Sequence, residues 1–86
     1  MGTDQPAPIL TLYSRNYCHL CDEMIAGLRR LQARFTFELA VVDIDTDEAL
    51  EARYGEDVPV LAHGGRELCR HVLNECLVTD YLVKIG

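Results

Sequence analysis

The stretch Ser14-Arg15-Asn16-Tyr17-Cys18-His19-Leu20-Cys21 sets two thiols three positions apart with a histidine between them. Cysteines at this spacing can close and reopen a disulfide, can form half of a metal site, or can be small buried apolar residues. Their setting decides among these. A thiol is nucleophilic as thiolate, and a cysteine at a helix N-terminus, near free N–H groups and the positive end of the dipole, has a pKa of roughly 3.5–7.5. Arg15 and a protonated His19 would add to that effect, whereas Asp22 and Glu23 would oppose it.

The flanking elements supply such a setting. Ile9-Leu10-Thr11-Leu12-Tyr13 is short, apolar and rich in strand formers, and predicts a strand buried on both faces. Beyond the cysteines, Leu20, Met24, Leu28 and Leu31 recur at helical spacing, which predicts a helix beginning near Cys18. Cys18 would then be the nucleophile at the helix start, and Cys21, nearly one turn on and further in, the resolving thiol. The segment from Phe35 to Asp45 turns β-branched and aromatic and predicts a second, parallel strand. A short helix follows, capped by Asp45 or Thr46 and stopped at Gly55. Two strand-like runs then flank Gly64-Gly65, a hairpin turn, with the second running into Asn74. Asn74 caps a last helix whose Leu77, Val78, Tyr81, Leu82 and Ile85 form its apolar stripe.

The order β-α-β-α-β-β-α predicts an α/β domain with a four-stranded mixed sheet and three helices, the smallest form of the thioredoxin fold. At 86 residues the chain holds one core, over residues 9–86, after a loose tail at 1–8. Pro59, at the head of a central strand, fits if it starts that strand beside the cysteine loop with a cis peptide after Val58.

Composition excludes several functions. The net charge is −6; residues 1–35 hold four basic and three acidic side chains, residues 36–86 four basic and eleven acidic. Lys84 is the sole lysine and, apart from Arg29 and Arg30, the arginines are scattered, which argues against nucleic acid. No apolar run reaches the roughly 18 residues of a membrane span, and no secretory signal is visible, so the expected compartment is a reducing cytoplasm. A structural zinc would need a second ligand pair; Cys69 with His71 or Cys76 is available, but at spacings unlike the usual pairs. Cys69 and Cys76 are expected to be buried, and His63 and His71 to be surface or satisfied residues.

The run Tyr13 to Cys21 resembles the active-site stretch of the glutaredoxin family, in which an aromatic residue, Ser or Thr, and Lys or Arg lead to the cysteine pair. Val58-Pro59 resembles its Thr-Val-Pro segment, and Gly64-Gly65 falls at its hairpin turn. The resemblance implies a thiol–disulfide oxidoreductase with Cys18 as nucleophile, Cys21 as resolving thiol and Pro59 as a cis-proline opposite them. It also implies that Val58 pairs through its backbone with a bound peptide or glutathione, that Arg15 meets a glutathione carboxylate, and that Tyr17 borders the substrate. No resident cofactor is required; glutathione would be a co-substrate. Disulfide-bearing proteins or small thiols would be the partners of a monomer. The chain departs from the family at His19, where most members have proline, at Asp57, where they have threonine, and in lacking the Gly-Gly-acid sequence after the hairpin. Two rival uses of the same residues are a zinc or iron–sulfur carrier, and a peptide-binding module working through the groove at Val58 and Pro59.

Overall fold

A computed structural model describes residues 7–85. Strand β1 (Ile9–Ser14) leads through the cysteine loop into helix α1 (His19–Gln32), then β2 (Glu38–Asp43) and a single 3-10 turn (Ile44–Thr46). Helix α2 (Glu48–Tyr54), β3 (Val60–His63), β4 (Arg66–Arg70) and α3 (Glu75–Ile85) complete the chain. The sheet order is β2-β1-β3-β4, with β1 parallel to β2 and antiparallel to β3, and β3 antiparallel to β4. This is the expected mixed sheet with three helices. Of the expected tail, residues 1–6 lie outside the described residues, and Pro8 already accepts a hydrogen bond from the Glu38 N–H.

Alternation along β1 divides the two sides of the sheet. Leu10 and Leu12 are fully buried among Met24, Leu28 and Leu31 of α1 and Val78 and Leu82 of α3. Each fully buried aliphatic side chain of this kind contributes about 1.5–3 kcal/mol. The opposite side is covered less completely. There Tyr13 stacks on Tyr54 of α2, ring centroids 4.4 Å apart, while Ile9 is 52% exposed. Burial of β1 on both faces is therefore corrected to one dry face and one half-covered face, because α2 spans only seven residues and buries none fully.

Local chemistry accounts for most boundaries. The buried stripe of α1 is Cys21, Met24, Leu28 and Leu31, and Leu20 is turned outward at 42% exposure, against expectation. By angle it belongs to the stripe, about 40° around the helix from Met24; it is its place in the first turn of α1 that leaves it open. Strand β2 starts at Glu38, not Phe35, and stops at Asp43, whose carboxylate accepts from the Asp45 N–H and starts the 3-10 turn. The α2 cap is accordingly Asp47, accepting from the Ala49 N–H at 2.8 Å, in place of Asp45 or Thr46. Gly55 ends α2 with an ordinary helical φ of −47°. Its role is close approach, since a Cβ would lie 2.6 Å from the Glu51 carbonyl oxygen.

The hairpin joins His63 to Arg66 through a two-residue turn, with Gly64 at φ +62°. Strand β4 does not run into Asn74; it ends at Arg70, and His71 turns the chain at φ 67°. Asn74 caps α3 as expected, its side-chain oxygen accepting from the Leu77 N–H at 3.1 Å. Of the expected α3 stripe, Leu77 and Ile85 are exposed, and Val78 and Leu82 alone are fully buried, because one edge of this helix faces the core.

Candidate active site

The parallel β1 delivers the chain to the end of the sheet, and the loop from Arg15 to Tyr17 brings it back to start α1. Cys18 is the N-cap, with extended backbone, and its Sγ accepts a hydrogen bond from the Cys21 N–H at 3.1 Å. One of the helix's free donors is thereby aimed at the sulfur, an arrangement that stabilises a thiolate when the pair is reduced. The two Sγ atoms lie at disulfide distance with Cα atoms 5.2 Å apart. Cys18 is half-buried and Cys21 is 1% exposed, so the first cysteine is open to solvent and the second is not.

Next to Val60, which pairs with Tyr13 near the end of β1, Pro59 is buried and the Val58–Pro59 peptide is cis. The Pro59 carbonyl accepts from the His71 N–H at 2.8 Å, which ties the end of β4 to the head of β3. Register in β3 begins at Val60, leaving half-buried Val58 outside the ladder.

Arg15 is held within the chain. Its guanidinium donates to Asp45 at 2.7 Å, to Glu51 at 3.2 Å and to the Gly55 carbonyl at 2.8 Å. The hydrogen bond to Asp45 raises its already high pKa. The active-site loop is thus fastened to the 3-10 turn and to α2. Tyr17, by contrast, is fully exposed and has a left-handed backbone, φ 61°. His19 is on the surface with its Nε2 2.7 Å from a Glu23 carboxylate oxygen. Asp57 meets Arg70 at 3.1 Å and lies 3.9 Å from His71, and Arg70 also binds Glu67 through two nitrogens at 2.6 Å. That hydrogen-bonded pair lowers the Glu67 pKa and raises that of Arg70.

The remaining cysteines are apart from this site. Cys69 is half-buried against the core, and burial pushes its thiol pKa up. Cys76 is exposed, a correction to the expected burial: it occupies the first turn of α3 on the edge facing away from Val78. His63 bonds the Tyr81 hydroxyl through Nδ1 and is a satisfied residue, while His71 is on the surface. Among the described residues, no group of three or more His, Cys, Asp or Glu side chains is gathered as a metal site.

A strand-loop-helix that presents a Cys-x-x-Cys pair at the helix start, with a cis-proline at the head of β3, defines a thioredoxin-fold protein. The model of the glutaredoxin-like domain (DUF836) matches residues 9–83, and the chain belongs to that family. Protein Ne2328 of Nitrosomonas europaea, solved by NMR, is 42% identical with a TM-score of 0.82, over 95% of this chain and 99% of that one. The X-ray structure of XcR50 from X. campestris is 41% identical with a TM-score of 0.70, over 87% and 96%. Fasciola hepatica thioredoxin, at 22% identity and a TM-score of 0.62 over 95% and 84%, shares the fold.

Proposed function

We propose that the chain is a thiol–disulfide oxidoreductase in which Cys18 attacks and Cys21 resolves. The observation that carries this reading is the Cys18 sulfur at the α1 N-cap, half-exposed and accepting the Cys21 N–H, with Cys21 buried behind it. The Cys18 thiolate attacks one sulfur of a substrate disulfide; a Cys18–substrate disulfide forms, and the departing substrate thiolate takes up a proton. Cys21 then loses its proton and attacks the Cys18 sulfur, closing Cys18–Cys21 and releasing the second substrate thiol. Two electrons pass from the protein to the substrate. Two molecules of an external thiol reverse the change and leave as one disulfide.

Arg15 acts here by holding the loop that carries Cys18, while Val58, Pro59 and Tyr17 border the attacked disulfide. A reducing cytoplasm is the compartment this cycle fits, because thiols there return the pair to its working form. No described helix is long and apolar enough to cross a membrane. The reading is tested by alkylating the reduced protein with iodoacetamide across pH. Cys18 reacts first, with an apparent pKa clearly below the free value of about 8.5. If Cys18 titrates as a free cysteine and forms no disulfide with Cys21 in a glutathione redox buffer, the reading fails.

A further inference from the structure

Residues Gly55 to Pro59 link α2 to β3, and the ladders of β3 begin only after them, at Val60. On the β1 side the pairing with β3 ends at Tyr13; Ser14 pairs only with Asp43 of β2, and Val58 pairs with neither β1 nor β4. The link is fastened by other contacts. Arg15 donates to the Gly55 carbonyl at 2.8 Å, and Arg70 reaches the Asp57 carboxylate at 3.1 Å. The Asp57 N–H closes a turn on the Tyr54 carbonyl, and the His71 N–H holds the Pro59 carbonyl, both at 2.8 Å.

Each arginine is oriented by carboxylates of its own as well. Asp45 of the 3-10 turn and Glu51 of α2 bind the Arg15 guanidinium, and both Glu67 oxygens bind Arg70 at 2.6 Å. A planar guanidinium serves several acceptors in fixed directions at once, which an ammonium does not. With these arginine side chains 31% and 43% exposed, the pairs add little to stability. What they fix is position. Arg15 stands three residues before Cys18 and Gly55 three before Val58, so the Arg15–Gly55 hydrogen bond ties the two loops together at matching points.

We propose that Arg15 and Arg70 are positioning residues that grip the α2–β3 link from the β1 side and the β4 side, setting Val58 at a fixed spacing from the cysteine loop. A polypeptide disulfide then meets the Val58 backbone and the Cys18 sulfur together. The inference rests on the exchange chemistry above and assigns the residues that align its substrate. A misplacement of about 1 Å can cost roughly a hundredfold in rate. Loosening either grip is therefore felt in the reaction before it is felt in the fold.

The test is the rate at which the reduced full chain is oxidised by two disulfides: insulin, a polypeptide, and oxidised 2-mercaptoethanol, small enough to meet the Cys18 sulfur alone. Arg15→Lys and Arg70→Lys keep the charge and lose the planar fork. In each, the ratio of the insulin rate to the 2-mercaptoethanol rate is expected to fall about three- to tenfold. The two grips hold one link, so the double variant loses less than the product of the single losses. Asn74→Ala, which weakens the cap of α3 outside the link, lowers stability and leaves the ratio in place. An unchanged ratio in either folded variant, an equal fall in Asn74→Ala, or a double variant that loses the full product would overturn the proposal. Should Arg15→Lys not fold, the ratio in Arg70→Lys decides. A parent chain that reacts with both disulfides, with variants that match its ratio, sinks positioning alone; a parent chain that reacts with neither sinks the exchange chemistry and positioning with it.

Discussion

Helices α1 and α3 both begin beside a cysteine, and the two N-termini are built on one plan with different atoms. In each, a side chain accepts the N–H three residues on, from Leu77 to the Asn74 oxygen and from Cys21 to the Cys18 sulfur, both at 3.1 Å. In α3 an amide oxygen does the capping and Cys76 stands past it, exposed and free. In α1 the capping atom is the Cys18 sulfur itself, and a second, buried cysteine lies at disulfide distance from it. A helix N-terminus and a thiol are common to both; only the first puts the thiol on the donors and gives it a second cysteine at disulfide distance.

The largest difference between the two ends is expected in activity. Cys18→Ser removes all disulfide reduction in a turnover assay, yet keeps a good N-cap and therefore the fold. Cys76→Ser retains turnover, and its stability in urea stays within about 0.5 kcal/mol of the parent. Turnover retained in the first variant or lost in the second would break the comparison. Next in size, Asn74→Ala costs about 1 kcal/mol in urea unfolding, the usual worth of a cap, and leaves turnover in place.

The smallest effect concerns the third environment. Burial raises the Cys69 pKa in the folded chain, so its neutral thiol favours folding below the ordinary thiol range. That contribution is lost as pH rises through the ordinary value toward the raised one. In melting curves recorded from pH 7 to 10, Cys69→Ala is expected to lower the melting temperature at neutral pH and to flatten its alkaline decline. An unchanged decline would assign the alkaline loss to other groups.

The element order was legible because helical spacing, strand alternation, Asn74 and the Gly64-Gly65 turn are signals between near neighbours. Boundaries were read less well where several acids compete, as at Asp43, Asp45 and Asp47, since any of them can accept an N–H and the fold selects which. The cysteine pair was legible from its spacing and its place after a strand. The Arg15 contacts were not: Asp45, Glu51 and Gly55 lie 30 to 40 residues away along the chain. Nor was the exposure of Leu20 and Val72, because Leu20 fits the helical stripe by spacing and Val72 follows the left-handed turn at His71.

The sequence by itself determined a strand, a Cys-x-x-Cys loop, a helix starting at Cys18 and a fold of four strands and three helices, because backbone preferences and capping act over a few residues. Tertiary structure alone decided that Cys21 is sealed while Cys76 is open, that Arg15 fastens a loop, and that Leu20 and Val72 are exposed. Burial and ion pairing depend on what the rest of the chain brings alongside, and local pattern does not encode that.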